Sequence, residues 1–193
     1  MKEKRNHHPE RKMKPVFLVF CEGETEEAYI HFLRQQYRLP IKVISHITGQ
    51  NISPIIIGKQ VKMVRLDKND IITTFLMYDL DVNDILTKLN ACKGSVNISS
   101  NPCIELWFLL HNVDQFADIS TDACISKLQK ISDWESYKKG MFSGKQKQIL
   151  WEKRIDASQR ARKLQKLSNP SSTVYWLIDA MEEEKRCFVM TAL

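Results

Sequence analysis

Val16-Phe17-Leu18-Val19-Phe20-Cys21-Glu22-Gly23-Glu24-Thr25-Glu26 is the stretch that decides the fold. Its apolar, β-branched and aromatic residues run without interruption, the pattern of a strand buried on both faces of a parallel sheet. The run then stops abruptly in carboxylates around a glycine. Ile71-Ile72-Thr73-Thr74-Phe75-Leu76-Met77-Tyr78 ends the same way, in Asp79-Leu80-Asp81. In open α/β sheets the carboxyl ends of the strands border the ligand crevice. Carboxylates gathered there repel one another, at a cost that a cation between them removes. The placement points to a divalent-metal site.

Working outward from these two runs, Thr25 to Tyr37 reads as a helix, with Tyr29, Phe32, Leu33 and Gln36 at helical spacing and Pro40 closing it. Ile41 to Ser45 alternates as a strand, and Gly49-Gln50-Asn51 is a turn. Pro54 suits the first turn of a helix that continues from Ile55 to Leu66, with a weak point at Gly58. Asp67-Lys68-Asn69-Asp70 then breaks the chain before the strand at 71–78. This β-α-β-α-β order predicts a parallel sheet with right-handed crossovers. A short helix follows from Asn83 or Asp84 to Asn90, then a fourth strand at 95–99, then an apolar helix from Cys103 to Leu110. The remainder reads as helical over 121–131, 145–167 and 172–187. Ser171 or Ser172 caps the last helix, and Val174, Leu177, Ile178 and Met181 form its apolar face. The fold class is therefore α/β: a parallel sheet of about four strands flanked by helices, with a helical C-terminal part. Three regions are expected: a basic, disordered leader at 1–14, a core at 15–120, and a basic helical part at 121–193 packed on it.

The charge is unevenly spread. The leader 1–14 carries six Lys/Arg against two Glu, and 138–166 carries ten Lys/Arg against two acids, while the chain as a whole is only +6. The region holding the two acidic clusters is thus net negative. Flanking positive surface beside a metal-ready acidic site suits a polyanion, although a basic tail and a solvated helix face give the same pattern. Within 138–166 the candidates for phosphate contact are Lys139, Lys145, Lys147, Lys153 and Arg154. No apolar run approaches the ~20 residues of a membrane span, and the start of the chain lacks a signal-peptide pattern, so a cytoplasmic location is expected. The five cysteines are dispersed with no C-x-x-C pair, which argues against structural zinc and against a disulfide framework. There is no P-loop, dinucleotide fingerprint, nucleophile elbow or H-E-x-x-H.

That leaves the carboxylates. Glu22 sits at the strand end, and glycine after it allows a tight turn that presents the side chain to the crevice. Glu26, four residues on, falls on the same side of the first helical turn. Glu24 and Glu27 need no function, because acids are favoured at helix N-termini. Asp79 and Asp81, two apart in an extended segment, point the same way and could share one ion; Mg²⁺ prefers such oxygen ligands. Glu105 is an acid in an otherwise apolar helix, where burial demands a partner or a metal. His111 ends that helix, where an imidazolium complements the helix dipole. Trp107, Trp134, Trp151 and Trp176 read as packing residues.

Taken together, strand, Glu22-Gly23, helix, strand, helix, strand, Asp79-x-Asp81 resembles the TOPRIM domain of topoisomerases, primases and certain nucleases. More closely, the chain resembles the RloB-like family of anti-phage and restriction-associated loci. That resemblance is carried by the basic leader, Cys21 to Glu26, Tyr78 to Asp81, Ser100-Asn101-Pro102-Cys103-Ile104-Glu105-Leu106-Trp107 with His111, and Asn169-Pro170-Ser171-Ser172-Thr173. It implies a Mg²⁺- or Mn²⁺-dependent nuclease in phage defence. Glu22, Glu26 and Glu105 are then the catalytic candidates, and Glu22, Asp79 and Asp81 the metal ligands. The implied partners are DNA or RNA and a separately encoded ATPase, with no membrane. Many TOPRIM proteins carry a third acid after Asp-x-Asp where this chain has Asn83, which puts a two-metal arrangement in doubt. The alternative is a nucleic-acid-binding or regulatory subunit whose acidic site is vestigial.

Overall fold

The structure is a computed structural model in which residues 15–39, 42–64, 70–81 and 84–191 are described. The leader 1–14, Pro40, Ile41, Leu66, the breaker residues 67–69 and Asn83 lie outside the described residues. The elements are β1 (Pro15–Cys21), α1 (Glu24–Tyr37), β2 (Lys42–Ile47), α2 (Pro54–Met63), β3 (Ile71–Met77), α3 (Ile85–Ala91) and β4 (Val96–Asn97). They are followed by β5 (Ser100–Asn101), α4 (Ile104–Leu110), α5 (Thr121–Leu128), α6 (Gly144–Glu152), α7 (Arg154–Arg162), β6 (Ser171–Ser172) and α8 (Tyr175–Thr191).

Four strands form one parallel sheet in the order β2-β1-β3-β4. The expected fold class holds: a parallel sheet between helices, with a helical C-terminal part. From β1 the chain steps to one neighbour through α1, then returns past β1 to β3 through α2. With right-handed crossovers this reversal puts α1 and α2 on opposite faces. Strand β1 shows both faces in its alternation. Phe17, Val19 and Cys21 join the cluster of α1, α4 and the C-terminal helices, while Leu18 and Phe20 join Leu76, Ile85 and Leu89 on the α2–α3 side. A central strand buried on both sides needs a continuous apolar run, which is why 16–21 reads as it does. Tyr29, Phe32 and Leu33 of α1 are buried as expected, but Gln36 is exposed and Tyr37 takes the core position.

Several boundaries differ from the sequence reading. The fourth strand shrinks to Val96–Asn97, and 145–167 is two helices broken at Lys153, whose ψ of 11° ends α6. Ser171 and Ser172 do not cap a helix. They form β6, which pairs antiparallel with β5 (Ser100 with Ser172, Asn101 with Ser171), and α8 starts only at Tyr175. Its expected face, Val174, Leu177, Ile178 and Met181, is buried. Trp107 and Trp134 are fully buried and Trp151 and Trp176 pack at the core's margin, so all four serve packing. The cysteines are all free thiols, and only Cys187 is exposed. No described helix is long and apolar enough to cross a membrane.

Candidate functional site

The strand order makes β1 and β3 neighbours at the point where the chain reverses direction across the sheet. Ligand crevices of open α/β sheets form at such switch points, beyond the carboxyl ends of the strands. Here Glu22 follows β1 and Asp79 follows β3. Both line a depression of about 350 Å³ together with Glu26, Asp81, Glu105 and Lys139. The carboxylates proposed from sequence for catalysis and metal binding are therefore brought together.

Backbone N–H groups position the first two acids. The Asp79 N–H donates to Glu22 Oε2 at 3.0 Å, which ties the ends of β1 and β3. The Gly23 N–H donates to Glu26 Oε2 at 3.0 Å, half of a capping box at the start of α1. Gly23, at the turn after β1, is extended (φ −145°). Glu105 is fully buried in α4, and its Oε1 accepts from the Tyr137 hydroxyl at 2.9 Å. Two buried carboxylate oxygens, Glu105 Oε2 and Asp79 Oδ1, have no hydrogen-bond partner.

The electrostatics follow from this crowding. Burial raises the Asp79 carboxyl well above its ordinary value, and Glu26, Glu105, Glu22 and Asp81 raise it further. Burial also raises Glu26 and Glu22; at Glu22 the Asp79 N–H works against the shift and Asp81 adds to it. Lys139 responds in the opposite sense. Burial would lower its ammonium, but Glu105 and Asp79 outweigh this and hold it above its usual value.

All the converging donors are carboxylate oxygens, the ligand type of Mg²⁺ and Mn²⁺ rather than of zinc or copper. Among the described residues, no group of three or more His, Cys, Asp or Glu side chains is already gathered closely enough to hold a metal ion. Glu22 and Glu26 are instead turned to backbone N–H groups. The orphaned oxygens of Glu105 and Asp79 are what fits a cation, since a buried unpaired carboxylate oxygen is costly until something satisfies it.

Sequence reading missed the frame around the site. Ser100 runs beside Asp79 as a parallel bridge: its N–H donates to the Tyr78 carbonyl at 3.0 Å and its own carbonyl accepts from Leu80 N–H at 2.8 Å. Thr173 in turn exchanges bonds with Ser99, its Oγ1 accepting from the Ser99 N–H at 2.9 Å. The Asn169 amide clamps both backbone groups of Ile119. Ser99, Ser100, Ser172 and Thr173, beside the two Asn-Pro bonds, thus brace the Asp79 strand end, while Glu105 of the first stretch lines the depression. Thr25 and Tyr137 were also missed: Thr25 Oγ1 accepts from Gly140 N–H at 2.9 Å, and Tyr137 orients Glu105. A two-residue pairing across a long stretch of chain leaves no local periodicity to read.

The basic candidates separate. Lys139 lines the acidic depression and Lys147 a neighbouring one. Lys145 is exposed and pairs with Asp133 at 3.0 Å, and Lys153 donates to Asn112 Oδ1 at 3.1 Å. Arg154 points into the fold: it pairs with Glu182, donates to Tyr37 and the Trp151 carbonyl, and stacks over the Trp151 ring. His111 stands at the C-cap of α4 but is fully buried, and burial lowers it to about 4, so it is neutral rather than the imidazolium expected there. Its Nδ1–H donates to the Trp107 carbonyl at 2.9 Å.

A parallel α/β sheet with an acidic crevice at its switch point, backed by a helical half, defines the class. Within it the family is plain: the model of the RloB-like protein family matches residues 17–181, and the chain belongs to that family. No curated protein and no solved structure matches the chain.

Proposed function

We propose that this RloB-like protein is a Mg²⁺- or Mn²⁺-dependent nuclease that cleaves phosphodiesters of nucleic acid in anti-phage defence. The observation that carries the reading is the pair of orphaned oxygens, Asp79 Oδ1 and Glu105 Oε2, on residues that line one depression with Glu22. Asp79 and Asp81, with Glu22, would hold the ion, in a depression that Glu105 also lines. A bound divalent ion would neutralise charge on the attacked phosphate and lower the pKa of a bound water.

The chain's own residues supply the rest. Glu22, whose carboxyl burial raises above its ordinary value, would accept a proton where it does not itself hold the ion. Lys139, held charged by the surrounding carboxylates, gives a scissile phosphate a cationic wall opposite the acids. Glu26 closes the negative side. Tyr137 keeps one Glu105 oxygen engaged and so fixes the direction of the other. Lys145 and Lys153, exposed on the helical part, would add phosphate contacts for the polyanion. A small chain without a P-loop is compatible with a separately encoded ATPase partner.

The test uses end-labelled DNA and RNA incubated with the pure protein in Mg²⁺, Mn²⁺ or EDTA. Cleavage is expected with a metal and none with EDTA. Glu22→Gln should lower the rate by about 10²–10⁴-fold, with folding and nucleic-acid binding retained. Undiminished cleavage in the Asp79→Asn/Asp81→Asn double variant sinks the proposal. If Glu22→Gln also protects cells from phage as well as the wild type does, the binding-subunit reading replaces it.

A further inference from the structure

A second depression lies beside the acidic one, and a tight turn at 138–141 separates them. The Met141 N–H donates to the Lys138 carbonyl at 3.2 Å, and Gly140 adopts a left-handed φ of 75°. The turn is pinned to the first turn of α1, because the Gly140 N–H donates to Thr25 Oγ1 at 2.9 Å. A side chain at position 140 would be strained at that φ and would meet Glu24 at 3.5 Å. Lys139 and Gly140 line the acidic side, and Gly140 and Met141 line the other. A chain crossing this turn reaches both depressions.

The second depression measures about 320 Å³, within the range of small-molecule sites. Phe32, Met141 and Phe142 give it an apolar wall, and His31, Gln35 and Lys147 supply its polar groups. Met141 is 69% exposed, a large polarisable side chain at the rim with little to do in the fold. No acid occurs anywhere in 138–150, which carries Lys138, Lys139, Lys145 and Lys147. Apolar walls suit the flat face of a ring, hydrogen-bonding groups suit its edge, and the lysine-rich segment is complementary to flanking phosphates. A duplex hides the faces of its bases in the stack, so a base that enters must be unpaired.

Building on the reading that nucleic acid is the substrate, we infer that this depression is a base subsite for single-stranded nucleic acid. It takes one unpaired nucleobase against Met141 and Phe142, next to the phosphate that lies over the acidic depression. Lys147 contacts the backbone beside that nucleotide. The specificity of the protein is then for single strands or unpaired loops.

The experiment measures binding by the full chain in EDTA, so that cleavage plays no part. The probes are short fluorescein-labelled oligothymidylate and oligouridylate strands, intact or with a single abasic spacer moved along the strand. One position is expected, in at least one of the two series, where the spacer weakens wild-type binding by about 5- to 150-fold. In Met141→Ala, a substitution at an exposed site, the spacer at that position should cost nothing further. Lys147→Ala should weaken every strand and lower the salt slope by about 0.7. Insensitivity to the spacer at every position of both series overturns the subsite. So does full spacer sensitivity retained in Met141→Ala, or duplex binding as tight as single-strand binding and equally weakened by Met141→Ala. Failure here leaves the nuclease reading standing, because cleavage is not measured. A protein that shows the spacer effect yet cleaves neither DNA nor RNA keeps the subsite and loses the nuclease reading.

Discussion

Two parts of this molecule bury ionisable groups under opposite rules. On the helical side the buried cation Arg154 is matched by an acid. Arg154 Nε lies 2.8 Å from Glu182 Oε1 and 3.2 Å from the Tyr37 hydroxyl, its Nη1 donates to the Trp151 carbonyl at 2.7 Å, and its guanidinium stacks 3.9 Å above the Trp151 ring. Burial works against the Glu182 carboxylate, yet Tyr37 and Arg154 hold it below the usual range. His111, which has Arg160 and Lys153 near it, is kept neutral. At the sheet edge, by contrast, Asp79, Glu22 and Glu26 are all pushed upward and two of the depression's carboxylate oxygens stay unpaired. A matched buried charge contributes to the fold. An unmatched one costs stability, and its place is where a ligand completes the structure.

The comparison can be broken first at His111, where the largest effect is expected. Its folded value of about 4 lies below the ordinary 6.5, so between these pH values the unfolded chain binds the extra proton. The stabilisation is complete above pH 6.5 and is lost as the pH falls toward 4, about 3 kcal/mol across the window. The raised carboxylates of the depression run the other way, gaining stability as the pH falls through their folded values. Urea unfolding of wild type and His111→Gln at pH 7 and pH 5 separates the two. The wild type should lose more stability than the variant, and equal losses would mean that the imidazole is not held neutral.

Arg154→Ala comes next. Removing one member of a fully buried pair costs about 3–5 kcal/mol. Here the Arg154 and Glu182 side chains retain 14% and 26% exposure, which brings the expected loss to about 2 kcal/mol. Nucleic-acid affinity should be unchanged once the variant is folded. A variant as stable as wild type but weak in binding would move Arg154 from the core to the nucleic-acid track and erase the contrast.

The same contrast explains what was legible in the sequence. Run 16–21 announces β1 because a strand buried on both faces has to be apolar throughout, 75–78 marks the buried end of β3, and the acids that stop each run mark the crevice. Glu105 was legible as an anomaly, an acid among Ile104, Leu106 and Trp107. What could not be read depends on partners far along the chain. The β5–β6 pair is two residues on each side, with Ser100 Oγ meeting Ser172 Oγ at 3.0 Å, and nothing local distinguishes Ser171-Ser172 from a helix cap. Arg154 looked like any other cation in a basic segment, since its partners Tyr37 and Glu182 are remote in sequence. The break at Lys153 is hidden for a related reason: α7 is polar on most of its surface and carries no apolar period to show where it begins.

The smallest effect is the most discriminating one, because its sign is reversed. Asp79→Asn keeps the shape of the side chain and removes one of several carboxylates that repel each other. Metal-free protein should therefore gain roughly 1 kcal/mol, where Arg154→Ala loses stability. The gain should grow with pH. Between the ordinary carboxylate value and its raised folded value, folded wild type must hold a proton that the unfolded chain releases, and above that value it carries a buried charge; the amide does neither. Mg²⁺ should close the gap, since an ion bound to the folded state stabilises wild type and has lost a ligand in the variant. Thermal unfolding of both proteins in EDTA and in Mg²⁺, at pH 6 and pH 8, gives the sign directly. If Asp79→Asn is destabilising in EDTA at both pH values, the depression's carboxylates are matched like those of the helical side, and the case for a cation between them falls.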